Sequence, residues 1–230
     1  MFLENFDLRL IDVVHELYAI EKYIDSIEQQ IPDLIQKEEA IAYEQMKKSE
    51  YENDEAEWQI TRQEYYELIE VAIPKYFWGP TIVILWAIFE SAILKIANEI
   101  KSHKKLGIGL NDINGDVMDR VNLYFNQILK MPIQTRSKAW QHLRMLYVLR
   151  NAIAHANGKF KNIKSDKDVK KIHKWIKDGI GIQANSDDIL FTPEFVREAH
   201  SIIFSFLDEL IKKFKEQYPI TIKRAEKNAG

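Results

Sequence analysis

The stretch Leu149-Arg150-Asn151-Ala152-Ile153-Ala154-His155-Ala156-Asn157-Gly158 closes a run of helical periodicity that begins near Ser137. Apolar residues recur at helical spacing along this run: Leu143, Leu146, Tyr147, Ile153 and Ala154. The spacing predicts an amphipathic helix that packs one face against a core. Arg150 falls in the middle of that face, where an unpaired cation is costly. Gly158 predicts the end of the helix.

Three hydrogen-bonding side chains therefore meet at the last turn of this helix. Asn151 and His155 are four residues apart, so they lie on one flank of the helix beside Arg150. Spacing alone leaves two interpretations open. In the first, Arg150 ties two helices together through a buried carboxylate, and His155 interacts with the negative end of the helix dipole. In the second, the three side chains form a site for an anion.

The pattern Arg-Asn-x3-His at Arg150, Asn151 and His155 resembles the signature of the HEPN superfamily. That signature is Arg-x4-6-His near the end of the third core helix of an all-helical domain. The resemblance covers about residues 74–218 and includes an apolar helix before the motif and a loop, a hairpin and a closing helix after it. It implies an up-and-down helical bundle with ribonuclease activity, of the toxin or anti-phage type, acting as a homodimer.

The resemblance also implies a mechanism and roles for residues. RNA would be cleaved by its own 2′-hydroxyl, with no metal ion or cofactor, leaving 2′,3′-cyclic phosphate ends. His155 would be the general acid or base, a role suited to a group that titrates near neutrality. Arg150 would bind the scissile phosphate, and Asn151 would orient the phosphate or the imidazole. Because each chain offers one such histidine, a two-fold dimer would supply the second.

One position departs from part of the family. In HEPN proteins that are paired with nucleotidyltransferase antitoxins, a tyrosine commonly lies two residues after the histidine. The corresponding residue here is Asn157. We therefore do not expect such a partner to modify this position.

The most apolar segment, residues 74–101, contains an uncharged run from Thr81 to Phe89. This run is shorter than the roughly 20 apolar residues of a membrane span, so we expect a central core helix and no membrane. Glu90 shares a helical stripe with Trp86, which predicts that it points inward. Its partner is then Arg150, another core-facing cation, or a group at an interface. Glu90 and Tyr147 are the predicted supporting residues of the site.

A lysine-rich segment follows Gly158. Its lysines are Lys159, Lys161, Lys164, Lys167, Lys170, Lys171, Lys174 and Lys177. Such a run is either a solvated face or a surface for RNA, whose phosphates are bound mainly by Lys and Arg. Because the run begins at the candidate site, we predict that Lys159, Lys161 and Lys164 contact RNA.

Charge divides the chain into unequal parts. Residues 1–73 hold 19 acidic and 6 basic residues, a net of −13, whereas residues 74–230 hold 16 acidic and 26 basic residues, a net of +10. We predict an acidic helical extension or arm over residues 1–73, a HEPN-like bundle over 74–218 and a polar tail over 219–230. The arm is either a solvated helical hairpin or a cover that tunes access of RNA.

Local signals place the elements within these parts. In the arm, Pro32 ends a first helix over residues 5–30 or bends the chain, and Asn53-Asp54 breaks a second helical stretch over 33–72. In the bundle, residues 180–183 and 189–191 predict a small β-hairpin. Thr192 followed by Pro193 predicts the start of the last helix. The predicted class is all-α.

Several classes of function are not supported. The chain has no cysteine, and it lacks a glycine-rich phosphate-binding motif and a His-Glu-x-x-His motif. The charged residues among the first ten are not typical of a signal peptide, so we expect a cytoplasmic protein. The main alternative to a nuclease is a non-catalytic HEPN-like interaction module in a defence or regulatory complex. An antitoxin or immunity protein is a third reading, and an antitoxin or regulatory protein is a possible partner of the nuclease.

Overall fold

The computed structural model describes residues 8–51 and 54–219, and this part of the chain is helical apart from one two-stranded sheet. The helices are α1 (Ile11–Tyr51), α2 (Glu55–Glu67), α3 (Gly79–Lys104), α4 (Val117–Leu123), α5 (Lys138–Ala156), α6 (Asp166–Lys177) and α7 (Pro193–Gln217). The strands are β1 (Ile182–Asn185) and β2 (Asp188–Phe191), paired antiparallel with Ile182 opposite Phe191. The predicted all-α class and the small β-hairpin are confirmed. Most of the predicted polar tail lies outside the described residues.

The core is built around α3, which contacts α1, α5 and α7. Its buried side chains include Leu85, Trp86, Phe89 and Ile93, each at most 1% exposed. Burial of large apolar side chains such as these is the main favourable contribution to folding. The prediction that this apolar segment forms a central core helix is confirmed.

Helix α1 runs through Pro32 without interruption, so the alternative in which Pro32 ends the helix is wrong. An internal proline removes one backbone hydrogen bond and costs about 3 kcal/mol or more. Packing on both sides of the proline offsets this cost. Ile24 and Ile27 are buried in the core before it, and Ala42 is buried near α2 after it.

The two halves of α1 have different surroundings. The first half shares the main core with α3 and α7 through Val13, Leu17, Ile20, Ile24 and Ile27. The second half pairs with α2 as a helical hairpin outside that core. The predicted boundary at residue 73 between the arm and the bundle stays a prediction. The packing places the first half of α1 with the bundle.

The hairpin of α1 and α2 turns where the sequence predicts. Helix α1 ends at Tyr51, and Asp54 caps α2 by accepting a hydrogen bond from the backbone N–H of Glu57 at 3.0 Å. Asn53, the other residue of the predicted break, lies outside the described residues. An aspartate at this position accepts a hydrogen bond from a backbone N–H that the helix leaves unpaired. This preference is why the sequence predicts the break.

Helices α2 and α3 are joined by two π-helical turns, Leu68–Ala72 and Pro74–Trp78. The combined run Glu55–Lys104 is, within the described residues, the one helix long and apolar enough to cross a membrane by length and composition. Half of its most apolar stretch is buried inside the protein. The core helix of a soluble protein passes the same test, so this property alone supports a membrane span only weakly.

Candidate functional site

Helix α5 carries the motif, and both of its ends are fixed by local signals. Ser137 caps the start by accepting a hydrogen bond from the backbone N–H of Trp140 at 3.2 Å. At the other end, Asn157 and Gly158 adopt the left-handed conformation with φ of 51° and 64°. The backbone N–H of Gly158 then donates a hydrogen bond to the carbonyl oxygen of Ala152 at 3.1 Å. The predicted helix end at Gly158 is therefore confirmed, and it leaves His155 in the last turn.

Asn151 and His155 line an open cleft of about 540 Å³ between α5 and the start of α6. The remaining lining residues are Val148, Ala152, Ala156, Asn162, Ile163, Lys164, Ser165 and Asp168. His155 is exposed, so its imidazole is accessible to a ligand in the cleft. The cleft thus offers an imidazole, two amides, a hydroxyl, one ammonium group and one carboxylate, beside four apolar side chains.

Arg150 lies on the other flank of α5, outside this lining. Its Nη1 donates a hydrogen bond to Oδ1 of Asn151 at 2.9 Å, so Asn151 connects Arg150 to the cleft. Its Nη2 lies 3.9 Å from Oε2 of Glu90, beyond hydrogen-bonding distance. Its Nε is buried with no hydrogen-bond partner among the described residues. The guanidinium is therefore paired loosely, and it keeps donors for a further acceptor.

Glu90 and Tyr147 meet at the indole of Trp86. The indole N–H of Trp86 donates to Oε2 of Glu90 at 3.1 Å, and the rings of Trp86 and Tyr147 lie 5.4 Å apart. The Glu90 side chain is 37% exposed, so it lies at the edge of α3 and does not point into the core. Glu90 and Tyr147 support the flank of α5 that carries Arg150.

Changing Glu90 to Gln tests how tightly Glu90 and Arg150 are paired. We expect the free energy of unfolding to fall by less than about 1 kcal/mol, since half-exposed ion pairs contribute little. The amide oxygen of Gln can also keep the hydrogen bond from Trp86. Urea unfolding of the two proteins measures the difference. A loss above about 2 kcal/mol would instead indicate a tight pair and favour a purely structural Arg150.

Of the three lysines predicted to bind RNA, only Lys164 lines the cleft. Nζ of Lys159 lies 3.8 Å from Asp188, and Nζ of Lys161 lies 3.3 Å from Asp187. Both carboxylates belong to the turn and strand of the β-hairpin. The backbone N–H of Lys161, which donates to Asp187, holds the pKa of that carboxyl below its usual range. Lys159 and Lys161 therefore attach the loop after α5 to the hairpin.

Asn162, Ser165 and Asp168 line the cleft as well, but sequence reasoning did not single them out. Ser165 caps α6 by accepting from the backbone N–H of Asp168 at 3.2 Å. Burial raises the pKa of Asp168, but hydrogen bonds from Lys171 and Ser165 outweigh it, so the pKa is lowered. The Ser-x-x-Asp spacing predicts a helix start. The neighbouring sequence does not indicate that the N-terminus of α6 faces α5.

This chain matches no protein-family model, no curated protein and no solved structure. Within residues 8–51 and 54–219, no three or more His, Asp or Glu side chains form a group that could hold a metal ion. The side chains of the site are therefore the basis for its proposed chemistry. Imidazole, amide and guanidinium groups together can bind an oxyanion and transfer a proton beside it.

Proposed function

We propose that the protein is a metal-independent endoribonuclease that cleaves RNA through its 2′-hydroxyl, with a composite active site in a homodimer, in toxin activity or anti-phage defence. The observation that carries the proposal is the pairing of Asn151 and His155 on one open cleft, with Arg150 hydrogen-bonded to Asn151 behind them. The resemblance of Arg150, Asn151 and His155 to the HEPN signature supports the same reading.

The proposed reaction needs only groups that the site and the RNA provide. The 2′-oxygen attacks the adjacent phosphorus as His155 takes the 2′-hydroxyl proton, and the bond from phosphorus to the 5′-oxygen breaks. A protonated imidazole gives a proton to the departing 5′-oxygen, leaving a 2′,3′-cyclic phosphate. The charge that builds on the phosphate oxygens is stabilised by Lys164 and by the guanidinium of Arg150.

A homodimer supplies the second imidazole, and α3 together with the π-helical turn Pro74–Trp78 before it presents a face suited to it. Tyr76, Pro80, Ile84 and Ala87 are exposed at helical spacing and uncharged; Tyr76 is 61% and Ile84 38% exposed. This face lies on the same helix as Glu90, beside the flank of α5 that carries Arg150. A two-fold contact here would bring the Arg150 flanks of the two copies toward each other.

Incubating the purified protein with RNA in EDTA tests the proposal. We expect cleavage by the wild type and its loss in Arg150→Ala and Asn151→Ala, with the fold of each variant checked by circular dichroism. Two results together would overturn the proposal: an inactive wild type, and toxicity on expression that neither change affects.

The second candidate, an interaction module, is favoured by the exposed side chains of the hairpin. Large apolar residues lie on its outside among many carboxylates: Ile41 (52% exposed), Tyr43 (60%), Ile60 (57%) and Tyr66 (46%). Such a mixture is typical of protein interfaces, where aromatic residues are enriched. On this reading the hairpin binds a basic partner and the cleft is not catalytic.

Replacing residues 36–68 with a short Gly-Ser linker tests the role of the hairpin. The replaced segment holds 10 acidic and 4 basic residues, a net of −6, and lies outside the main core. We expect the bundle to stay folded and to bind RNA more tightly, because repulsion of phosphates is reduced. Fluorescence anisotropy with labelled RNA measures the change.

A full-length control separates the effect of the hairpin's negative charge on RNA binding from the effect of removing the hairpin. Changing Glu38, Glu39, Glu44 and Glu64 to Gln removes carboxylates and keeps both helices. Equal or weaker RNA binding by a folded linker variant would contradict a role of the hairpin in RNA access.

A further inference from the structure

We propose that four exposed lysines on α6, here called the α6 ridge and comprising Lys167, Lys170, Lys174 and Lys177, bind the phosphate backbone of the RNA strand where it leaves the cleft. The inference rests on the proposed function for the assignment of the cleft to RNA. It also moves the RNA-binding surface away from Lys159 and Lys161, which the β-hairpin holds.

The spacing of these lysines places them in one line along the helix. Intervals of three, four and three residues, at about 100° per residue, keep the four Cα positions within an arc of about 80° and along about 15 Å of axis. All four side chains are exposed. The opposite face of α6 is fixed in place, since Ile172 is fully buried and Val169 and Trp175 are partly buried. The ridge therefore has a single orientation toward solvent.

The charges of the ridge are available to a ligand. Among the described residues, no carboxylate lies within ion-pairing distance of any of the four. Lys171, which lies off the ridge, is instead paired with Asp168 at 2.7 Å. A row of like charges on one helix face destabilises the helix slightly, and a bound polyanion relieves that repulsion.

The ridge begins one residue from the cleft lining. Ser165, which caps α6, lines the cleft together with Lys164 and Asp168, and Lys167 directly precedes Asp168. The ridge lies on the side of α6 that faces away from the cleft, so a strand bound beside His155 reaches it by passing around the start of α6, where Lys164 and Lys167 are both exposed. The imidazole of His173 stacks on the ring of Phe160 at 4.5 Å and 7°, next to the ridge on the exposed side of α6. Such a flat pair is a platform on which an unpaired base can stack.

The chemistry favours single-stranded RNA over a membrane. The apolar face of α6 is committed to the core, so the helix has nothing to insert into a bilayer. A regular row of point charges fits a regular row of phosphates. The competing occupant is the acidic hairpin of α1 and α2 from a second copy of this chain, which the experiment separates from RNA.

The experiment uses the full chain with Lys170→Gln and Lys174→Gln, and 2′-O-methyl RNA, which cannot be cleaved through its 2′-oxygen. Binding is measured by anisotropy over about 0.05 to 0.2 M salt with oligonucleotides of about 4 and about 12 nucleotides. Each lost phosphate contact lowers the salt slope of single-strand binding by about 0.7, so we expect a slope smaller by about 1.4 with the longer RNA. The shorter RNA, which occupies the cleft alone, should show no change.

The control is Lys212→Gln with Lys215→Gln near the end of α7, which removes the same charge from a different surface. Lys212 differs from the ridge lysines because it pairs with Asp208 at 2.7 Å. We expect no change in slope for this pair. If the ridge variant and the control behave alike, the inference is overturned.

The result also separates this inference from the proposed function. If the ridge variant has the smaller slope, the ridge is an RNA-binding surface. The nuclease proposal still fails in that case if the wild type does not cleave RNA in EDTA and its toxicity on expression is unaffected by Arg150→Ala and Asn151→Ala. If the wild type does not bind RNA but associates with itself, and the ridge variant abolishes that association in sedimentation, the hairpin of a second copy is the occupant and the RNA inference fails.

Discussion

Replacing His155 with alanine is expected to slow RNA cleavage by about 100- to 10,000-fold, the range that a positioned acid–base group contributes. His155 is exposed at the cleft and makes no hydrogen bond to another described residue. Its removal should therefore leave the fold and the melting temperature unchanged. Initial rates on a labelled RNA, together with thermal unfolding of both proteins, measure the two effects separately.

The control for His155 is another histidine on the same helix. His142 lies near the start of α5, where its Nδ1 is 3.0 Å from the carbonyl oxygen of Lys138, and it is not part of the cleft. His142→Ala should cleave RNA at the wild-type rate. Loss of activity in both variants, or in neither, would contradict the role assigned to His155. Wild-type products should carry 2′,3′-cyclic phosphate ends, which treatment with acid opens to monophosphates.

The separation of Arg150 from the cleft bears on the proposed homodimer. Within one chain, Asn151 is the only described contact between the guanidinium and a residue that lines the cleft. Arg150 instead faces α3, on the side where the uncharged face is exposed. In a two-fold dimer through that face, the guanidinium of each copy would lie at the interface. It would then be closer than in the single chain to a phosphate bound between the two copies.

Features of the fold that depend on neighbouring residues were predictable from the sequence. The cap at Thr192 and the stop at Gly158 are set by interactions within a few residues, and the structure has both. The pairing of Asn151 with His155 on one flank also follows from helical spacing alone. These predictions needed no knowledge of tertiary packing.

Features set by distant residues were not predictable. The course of α1 through Pro32 depends on packing against α2 and the core, which the local rule for proline ignores. The RNA contacts predicted at Lys159 and Lys161 stay predictions, and the sequence does not show that the carboxylates of Asp188 and Asp187, more than 20 residues further on, lie near these two ammonium groups. The position of the cleft beside α6 depends on the same long-range pairing.

Asp188 joins three parts of the molecule that hold the site in place. Its carboxylate contacts Nζ of Lys75 at 2.6 Å, and the side chain of Lys75 is only 8% exposed. Next to it, the backbone N–H of Ile189 donates to the carbonyl oxygen of Gly158 at 2.8 Å. Asp188 also pairs with Lys159 in the loop after α5. The hairpin, the segment before α3 and the end of α5 are thus connected at one carboxylate.

Changing Asp188 to Ala is expected to reduce the free energy of unfolding by about 3 to 5 kcal/mol, because the ammonium of Lys75 is then left buried without a counter-charge. Urea unfolding measures the loss. Asp187→Ala, in the same turn but facing the more exposed Lys161, is the matched control and should be much milder. The double variant Lys75→Met with Asp188→Leu should recover most of the loss, since it removes both charges together. A change below about 1 kcal/mol in Asp188→Ala would show that this pair does not hold the hairpin against the core.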